Sequence, residues 1–526
     1  MDKKDKPTNK QEQNSTKPDN RAKEVEYTAV LPNLVDIVID AQGSVKFLFK
    51  SQDGKLTVSD SLMEGERELR PPRKSAIPFA LPRAAEVLRW YREDDDQQLF
   101  IGLLAYLRRY SHLEEGQWLI VACTAILSYI QDHEDVYYLP ILLFWAAPER
   151  GKSRTGKAVT LVSYRGIHLL DLREANLFRY SHNMKSTIFF DIMDFWNKAQ
   201  RGSSEDILLG RYEKGAKVAR VLHPEKGAFK DMQHFEVYGS TIIATNSPVH
   251  KILGTRCIPI TMPNRPGVYE QSNQKAAQAL KERLTAWRAK MMGTRILDRE
   301  PVPAISGRLW DISKPLFQIC RLICPENEAL LERTLIGLSG ERIEDKQDTI
   351  EGEVISILKS IAEQNPKQVT WDIPTSTIVE MLNIDRSEAY RVTSRSLGKR
   401  LSALGVRKRK GNGGMSIRIV DRPTLDALVN EYGLGPPEAN APNSLNSLGV
   451  EETSTYNEEC YGELEEDQAN ALQTLQRQPL ENKGSGEFGE FGAFGAFVPR
   501  RGMCTTCTKA DCDPLEINKL KCGGPH

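Results

Sequence analysis

The chain has 526 residues, is 40% hydrophobic, and balances 71 Lys and Arg against 71 Asp and Glu. This length corresponds to three or four folded units at roughly 100–200 residues each. The balanced charge excludes any inference about partners from net charge, so only local charge asymmetry is informative. The most apolar stretch, residues 137–147, is far shorter than the roughly 20 residues of a membrane helix. We therefore expect a soluble cytoplasmic protein that does not contact a membrane.

The N-terminal part of the chain begins without apolar segments. Residues 1–25 are rich in Lys, Asp, Asn and Gln, which is typical of a disordered segment and not of a secretory signal. In residues 26–83, apolar and polar residues alternate between QG and DG turns, which predicts a small antiparallel meander. Its predicted strands are Val35–Asp40, Ser44–Lys50 and Lys55–Val58. Helical periodicity over residues 84–138 predicts a helical lead-in to the next region.

Three short all-apolar runs, with helical segments between them, occupy the middle of the chain. They lie at Leu139–Trp145, Thr187–Phe190 and Ser240–Ala244. Such runs are typical of strands buried on both faces, and their alternation with helices predicts a parallel sheet. We therefore expect a multidomain α/β protein, with an α/β core over residues 139–300 and a helical lid over 301–345.

Residues 142–162 contain two overlapping spellings of a phosphate-binding loop, each with one defect. The first runs from Ala146 to Ser153 and lacks the initial glycine; the second runs from Gly151 to Ala158 and lacks the final hydroxyl. In such a loop, backbone N–H groups wrap the phosphates, a lysine reaches the β- and γ-phosphates, and a hydroxyl binds Mg²⁺. The first spelling directly follows the apolar run ending at Trp145, so it is favoured. It predicts an ATP-binding loop of Ala146, Ala147, Pro148, Glu149, Arg150, Gly151, Lys152, Ser153 and Arg154.

Polar residues at the ends of the later apolar runs provide partners for this loop. Asp191 would hold Mg²⁺ beside Ser153. The residue after it is Ile192, where a water-orienting glutamate is usual, and the nearest acid is Asp194. Asn246 follows the third run, where ATPases of a similar build have a residue that contacts the γ-phosphate and the attacking water; the alternative is a turn former before Pro248.

Arg256 precedes a further short apolar stretch, Cys257–Ile260. An arginine in this position could reach across a subunit boundary to the ATP of a neighbour as an arginine finger. The alternatives are a surface salt bridge for Arg256, a turn residue for Asp191 and an accidental basic loop around Lys152. In the favoured spelling, Lys157 becomes an ordinary solvent-facing helix residue.

The segments APERGKSR, STIFFDIMDFW, EDILLGRYEKGAKVARV, YGSTIIATN and GTRCIPITM carry a family resemblance. The stretch from about Val136 to Arg265 resembles the P-loop ATPase domain of plasmid- and phage-borne primase-helicases, which is loosely related to AAA+ and superfamily-3 helicases. The resemblance implies that Lys152 and Ser153 bind nucleotide, Asp191 binds Mg²⁺, Asn246 is a sensor and Arg256 is the finger. It also implies a homo-oligomeric ring, with a hexamer as the first candidate. No primase active site is visible in the first 80 residues, so the primase half of this family, if it exists, is missing here or on a separate chain.

Two basic regions are candidate DNA contacts. Lys214, Lys217 and Arg220 lie where related ring helicases have loops facing the pore, and could contact phosphates of a single strand. A solvated basic turn is the alternative.

Residues 350–433 read as helix, helix and wing, and residues 386–410 hold nine Lys or Arg and one acid. A helix over Ser387–Leu404 would place Tyr390, Leu397, Leu401 and Leu404 on one stripe. This predicts a winged helix that binds DNA through phosphates; a protein–protein module is the alternative. Its candidate DNA contacts are Arg391, Arg395, Lys399, Arg407, Lys408, Arg409 and Lys410.

The C-terminal part combines low complexity with cysteines. Residues 434–500 contain PP, NAPNSLNSLG and GEFGEFGAFGAF, which is typical of a linker. In residues 501–526 the spacing of Cys504, Cys507, Cys512 and Cys522 suggests a structural Zn²⁺ site, to which His526 could contribute. An iron–sulfur cluster and unpaired or redox thiols are the alternatives. Cys320 and Cys324 lie one turn apart on an apolar helix and are expected in a core.

Taken together, these patterns predict a Mg²⁺-ATP-dependent ring ATPase that acts on DNA. A helicase or translocase for replication of a mobile element is the leading hypothesis. The rival is a DNA-binding nucleotide switch with weak hydrolysis, for which Ile192 would be the clue. A third alternative is an inactive P-loop scaffold.

Overall fold

The computed structural model describes residues 25–435, except residues 94, 228–229, 266 and 412–413. The segment predicted to be disordered up to residue 24, nearly all of the predicted linker and the four cysteines of the tail lie outside the described residues. No helix in the described part of the chain is both long and apolar enough to span a membrane.

The N-terminal region contains six short strands in two sheets. The expected meander is present, with antiparallel pairing of its second strand to its third and of its third to its fourth. A second sheet was not predicted: in it the first strand of the chain pairs in parallel with the sixth, and the fifth strand pairs antiparallel with the sixth. These strands are β1 (Val25–Tyr27), β2 (Leu34–Ile39), β3 (Val45–Lys50), β4 (Leu56–Ser59), β5 (Leu62–Glu64) and β6 (Arg67–Arg70).

Three helices lead from the N-terminal sheets into the core. They are α1 (Ala84–Glu93), α2 (Asp96–Arg108) and α3 (Glu115–Leu127). Helix α3 begins with a capping box between Glu114 and Gln117. It has almost no polar face and is buried from Trp118 to Leu127, as expected for a helix that is apolar on all sides.

The core is a five-stranded sheet in which every recorded pairing is parallel. This confirms the predicted parallel α/β architecture. The strand order is β13-β7-β12-β9-β8. Strand β7, which precedes the predicted phosphate-binding loop, therefore lies between β13 and β12. The strands are β7 (Ile141–Trp145), β8 (Ile167–Leu169), β9 (Ile188–Asp191), β12 (Thr241–Thr245) and β13 (Cys257–Thr261).

Five helices and one hairpin connect the core strands, and a sixth helix follows the last of these strands. The connecting helices are α4 (Lys152–Val162), α5 (Glu174–Met184), α6 (Phe195–Arg201), α7 (Glu205–Gly210) and α8 (Lys251–Gly254), and the helix after β13 is α9 (Gln274–Met291). The hairpin joins β10 (Lys217–Val221) to β11 (Met232–Glu236) and is not part of the parallel sheet. Two further helices, α10 (Gly307–Ile323) and α11 (Glu328–Gln347), follow, with Cys320 and Cys324 buried in the core as expected.

Arg211, just after α7, is fully buried among backbone and hydroxyl oxygens. Its Nε donates to Thr241 Oγ1 at 2.7 Å, and its Nη2 donates to Ser240 O at 2.8 Å and Ser186 O at 3.2 Å. Its Nη1 donates to Ser181 Oγ and to Val237 O. None of the five acceptors is a carboxylate, and burial lowers the pKa of Arg211 to about 9. The side chain thus joins α5, the approach to β9 and the start of β12.

Two further buried arginines join the N-terminal sheet to the core. Arg288 of α9 donates to Val35 O at 2.7 Å and forms an ion pair with Asp132 at 2.6 Å. Arg165 donates to Asp36 Oδ1 at 2.7 Å and to Ala29 O at 2.8 Å. Because both guanidiniums reach backbone oxygens of the N-terminal region, the sheets are fixed on the core by directional bonds as well as by apolar packing.

The C-terminal unit has its own apolar core and a three-stranded antiparallel sheet of order β14-β16-β15. The predicted single helix over 387–404 is wrong, because α14 begins only at Ser394, and Tyr390 is 78% exposed and not part of a buried stripe. Asn383 exchanges two hydrogen bonds with the backbone of Val392, which holds that residue outside the helix. The elements are α12 (Ile350–Gln364), β14 (Thr370–Pro374), α13 (Thr375–Leu382), α14 (Ser394–Ala403), β15 (Arg407–Lys410), β16 (Ser416–Asp421) and α15 (Arg422–Glu431).

Replacing Arg211 with methionine should destabilise the protein by about 3 kcal/mol or more, because five buried acceptors lose their donors. Equilibrium unfolding in urea measures this change. Arg201→Met is the matched control: Arg201 is exposed on α6, so the change should cost less than about 0.5 kcal/mol. Equal unfolding midpoints for the two variants would show that the Arg211 network does not stabilise the fold.

Candidate nucleotide-binding site and basic surfaces

The loop between β7 and α4 has the geometry of the first phosphate-loop spelling. Strand β7 ends at Trp145 and helix α4 begins at Lys152, so the connection is Ala146–Gly151. Gly151 is the N-cap of α4 with φ 82°, a conformation that strongly favours glycine. The N-terminus of an eleven-residue helix therefore points its free backbone N–H groups into the loop.

The missing first glycine of the motif does not strain the loop. The positive φ values between 146 and 151 belong to Glu149, at 66°, and Gly151, and Ala146 is not among them. An alanine in this position therefore needs no left-handed backbone. Residues 147–149 are exposed, which leaves the outer part of the loop open to a ligand.

Lys152 is buried, and its ammonium group lies inside the loop. Its Nζ donates to Ala146 O at 2.8 Å and to Ala147 O at 2.6 Å. Burial lowers the pKa of Lys152, and Arg150 lowers it further, whereas Asp191 acts in the opposite direction. Both acceptors are loop carbonyls, so the ammonium group forms no direct ion pair with them and can change partners when an anion enters.

The side chains of Ser153 in α4 and Asp191 at the end of β9 are in contact. Ser153 Oγ donates to Asp191 Oδ1 at 2.9 Å. Strand β12 lies between β7 and β9, and its Ala244 is level with Asp191. The register therefore brings the first turn of α4 and the last residue of β9 together at the carboxyl ends of the strands. A hydroxyl and a carboxylate at this separation are oxygen ligands that suit Mg²⁺.

The residues after Asp191 do not offer a free acid. Ile192 is buried, so the position next to Asp191 contributes apolar packing. Asp194 is half-buried, has φ 54°, and its Oδ1 accepts a hydrogen bond from Asn197 Nδ2 at 2.6 Å. The carboxylate closest in sequence is thus already a partner of α6.

Asn246 and Arg256 lie at opposite ends of the parallel strands. Asn246 follows β12, whose last residue Thr245 pairs with Trp145, so this exposed amide is level with the start of the loop. Arg256 precedes β13, whose first residue pairs with Ile141 at the other end of β7. At about 3.3 Å per residue, Arg256 is roughly 20 Å from the loop of its own chain.

The second lysine and the second glycine of GKSRTGKA have other roles in the helix. Lys157 is exposed on α4 and lies away from the loop. Gly156 packs against β9, since a Cβ at that residue would lie 2.4 Å from the ring of Phe189. The sequence did not indicate this contact, although a glycine inside a helix is a recognised sign of close packing.

The three predicted pore cations differ in how accessible they are. Lys214 donates to the carbonyl oxygens of Asp132, His133 and Val136, and burial lowers its pKa. Arg220 forms an ion pair with Glu174. Lys217 is exposed on β10 and is the one of the three with no recorded side-chain bond among the described residues. Of these three predicted cations, Lys217 is therefore the one that is free of a side-chain bond to any described residue.

The basic surface of the C-terminal unit consists of exposed cations on and around α14 and β15. Arg391, in the turn before α14, and Arg395 and Lys399, on the helix, are exposed. Along β15 the side chains alternate: Arg407 forms an ion pair with Asp421 and Arg409 with Asp372. Lys408 and Lys410 have no ion pair with any described residue. Among the described residues, the cations of this surface without an ion pair are Arg391, Arg395, Lys399, Lys408 and Lys410.

One buried arginine, which no sequence pattern indicated, positions this surface. Arg418 of β16 donates to Gly398 O at 2.8 Å and to Ser402 Oγ at 3.0 Å, which ties the sheet to α14. A Cβ at residue 398 would lie 2.9 Å from the guanidinium of Arg418. Gly398 therefore allows this contact, and the helix presents Arg395 and Lys399 outward.

No protein-family model and no curated protein matches the chain. Among solved structures it is similar to one described as the active helicase SCCmec type IV Cch, with TM-score 0.33 and 12% identity over 77% of this chain and 80% of the other. Two apo structures of the NrS-1 C-terminal region match with TM-scores of 0.29 and 0.30 and identities of 10% and 12%. Each covers 73% of this chain and 96% of the other. At TM-scores this low, function has to be inferred from the chain's own residues.

Gly156→Ala should destabilise the protein by about 1–3 kcal/mol, because the new methyl group meets the ring of Phe189. Alanine is intrinsically about 1 kcal/mol better than glycine inside a helix, so the sign of the change separates packing from helix propensity. Urea unfolding measures it, and Lys157→Ala, one residue further along and exposed, should change little. A stabilised Gly156→Ala variant would rule out the close approach of α4 to β9.

Proposed function

We propose that the protein is a Mg²⁺-ATP-dependent ATPase of the helicase or translocase type that acts on DNA and works as a homo-oligomeric ring. The observation that supports this most directly is the contact between Ser153, at the N-terminus of α4, and Asp191, at the end of β9. Replication of a mobile element remains the biological setting that the family resemblance implies.

The residues of the loop fit a nucleotide and its metal. The backbone N–H groups of Gly151, Lys152 and Ser153 would receive the phosphates, and the ammonium group of Lys152 would exchange its two carbonyl acceptors for phosphate oxygens. Ser153 and Asp191 would hold Mg²⁺, which neutralises phosphate charge when it is bound. Asn246 would orient a water molecule at the open end of the loop.

The position of Arg256 supports an assembly of several copies. The backbone of Arg256 is roughly 20 Å from the loop of its own chain at about 3.3 Å per residue, so we infer that its side chain does not contact the nucleotide held there. A neighbouring subunit whose loop faces this edge would bring the arginine to the transferred phosphate. A closed ring, with a hexamer as first candidate, satisfies this requirement at every subunit, because each head-to-tail interface is the same.

The C-terminal unit supports the DNA part of the proposal. Its helix, strand, two helices and antiparallel hairpin suit a winged helix, with α14 as the helix that approaches the duplex. The exposed residues of α14 combine Arg395 and Lys399 with hydroxyl side chains, which suits phosphate contacts. Lys217 on the hairpin would contact a single strand in the pore. A primase on a separate chain and Zn²⁺ at the four tail cysteines remain proposals from the sequence.

A nucleotide switch with slow hydrolysis is the second candidate, and one specific observation favours it. Ile192 is buried where a water-orienting glutamate is usual, and Asp194 is engaged by Asn197. A site built this way would bind and order ATP well while activating water poorly. In that case ATP would control assembly on DNA and would not drive movement.

Lys152→Ala should abolish ATP binding and turnover, because the variant loses the cation that reaches the phosphates. ATP binding is measured by equilibrium dialysis and turnover by phosphate release, with and without single-stranded DNA. Lys157→Ala is the matched control and should retain both activities, since Lys157 is exposed on the same helix.

Three outcomes separate the hypotheses. DNA-stimulated turnover that disappears in Lys152→Ala supports the motor. Tight binding with negligible turnover, unchanged by DNA, supports the switch. Absence of ATP binding to the wild-type protein contradicts both, and loss of binding in Lys157→Ala alone would show that the second spelling is the functional one.

Combined substitution of Arg395 and Lys399 with alanine should weaken duplex DNA binding and flatten its salt dependence. Each phosphate contact contributes about 0.9 to the slope of log K against log salt, so losing two contacts should lower the slope by about 2. Fluorescence anisotropy over a salt series measures both quantities. Arg407→Ala with Arg409→Ala removes the same charge from pairs already matched by acids and should have the smaller effect. A larger loss of DNA binding in the Arg407 and Arg409 variant would instead place the DNA-binding surface on the hairpin of β15 and β16.

A further inference from the structure

We propose that Arg342 of α11 is a positioning residue that links DNA binding at the C-terminal unit to the placement of Arg256. This rests on the proposed function, in which Arg256 serves a neighbouring ATP site. The link would run over one turn of α11, which contacts the C-terminal unit on one side and the Arg256 segment on the other.

Arg342 reaches the backbone on both sides of Arg256. Its Nη2 donates to Cys257 O at 2.6 Å, and its guanidinium lies 3.5 Å from Gly254 O and from Thr255 O. A planar guanidinium can address several carbonyls at once, which an ammonium group cannot do with the same geometry. Cys257 begins β13, an edge strand of the sheet, so this carbonyl is on the side without a neighbouring strand.

The side chain of Arg256 depends on the same short segment. Its Nη1 donates to Ile252 O at 2.6 Å in α8, and its guanidinium lies 4.8 Å from the ring centre of Tyr212. Since the backbone of residues 254–257 is held by Arg342, a shift of Arg342 would move the base from which Arg256 extends. Arg256 is thus supported from α8 and from α11 together.

The adjoining turn of α11 is fixed to the end of the C-terminal unit. Gln347 Nε2 donates to Tyr432 O at 2.9 Å and to Gly433 O at 3.0 Å, and Lys346 pairs with Glu431 at 3.4 Å. Gly433, with φ 63°, packs so closely that a Cβ there would lie 2.3 Å from Ile343 Cγ2. Ile343 is the residue next to Arg342, so displacement of the C-terminal unit would act directly on the turn that carries Arg342.

This arrangement gives a short physical route between the two sites. At about 1.5 Å per residue, Gln347 and Arg342 are roughly 7.5 Å apart along the helix axis. DNA that pulls on α14 would load the contact at Gly433 and, through α11, the carbonyls beside Arg256. The nucleotide loop of the same chain lies outside this route, so its affinity for ATP should not depend on Arg342.

Hydrogen exchange on the full-length protein tests the mechanical part directly. The amides of Gly254, Thr255 and Arg256 are hydrogen-bonded to backbone oxygens in the wild type, so their exchange is measurable. In Arg342→Ala, exchange over residues 251–257 should become faster and should stop responding to added random-sequence duplex DNA. Helix α4 should be unaffected. Arg333→Ala, an exposed arginine of the same helix, is the matched control and should behave like the wild type.

Steady-state kinetics test the functional part. Arg342→Ala should lower DNA-stimulated kcat about tenfold to hundredfold, as expected for misplacement of a reacting group by about 1 Å, with KM for ATP changed by less than about twofold. Arg342→Lys should recover part of the rate, because it can restore the bond to Cys257 O. A DNA response of residues 251–257 that persists in Arg342→Ala would overturn the proposal, as would equal loosening of α4. If the wild type does not turn over ATP, the proposed function fails, and the exchange experiment still decides whether Arg342 links DNA to the Arg256 segment.

Discussion

The placement of the candidate site depends on the hydrogen bonds of Arg211. This side chain joins the approach to β9 with the start of β12 at the amino end of the sheet. In parallel strands the register set at one end is kept to the other. Asp191 and Asn246, which follow at the carboxyl ends, therefore take their relative positions from a contact far from both. A charged guanidinium is suited to this task because it satisfies five oxygens from four segments at once.

Buried cations also explain how the small N-terminal sheets can be part of the same structure. Arg165 and Arg288 are buried, and each combines a carboxylate with backbone oxygens of the N-terminal region. Removal of one partner from such a network leaves uncompensated polar groups in the interior, which costs more than the loss of one apolar contact. The N-terminal sheets and the core are therefore expected to unfold together.

The sequence predicted features that depend on local pattern and could not predict those that depend on distant partners. The parallel sheet followed from apolar run length, and the start of α4 followed from the strand that ends at Trp145. The strand order was not predictable, because β13 pairs with β7 across more than a hundred residues. The helix predicted over 387–404 failed because periodicity does not reveal the bonds between Asn383 and Val392. Likewise, charge alone does not show that Lys214 is engaged by three carbonyls while Lys217 is exposed.

The two glycines of GKSRTGKA are constrained by different physical requirements, and this determines which substitutions each can accept. Gly151 has a left-handed backbone, and a Cβ there would find its nearest neighbours at ordinary contact distance, 3.8 and 3.9 Å. Asparagine, which tolerates that backbone region better than most residues, is the replacement with the best prospect. Gly156 has ordinary helical geometry and no room for a side chain, so no residue type suits it. Among natural variants of this sequence, we therefore expect asparagine as the replacement at position 151 and only glycine at position 156.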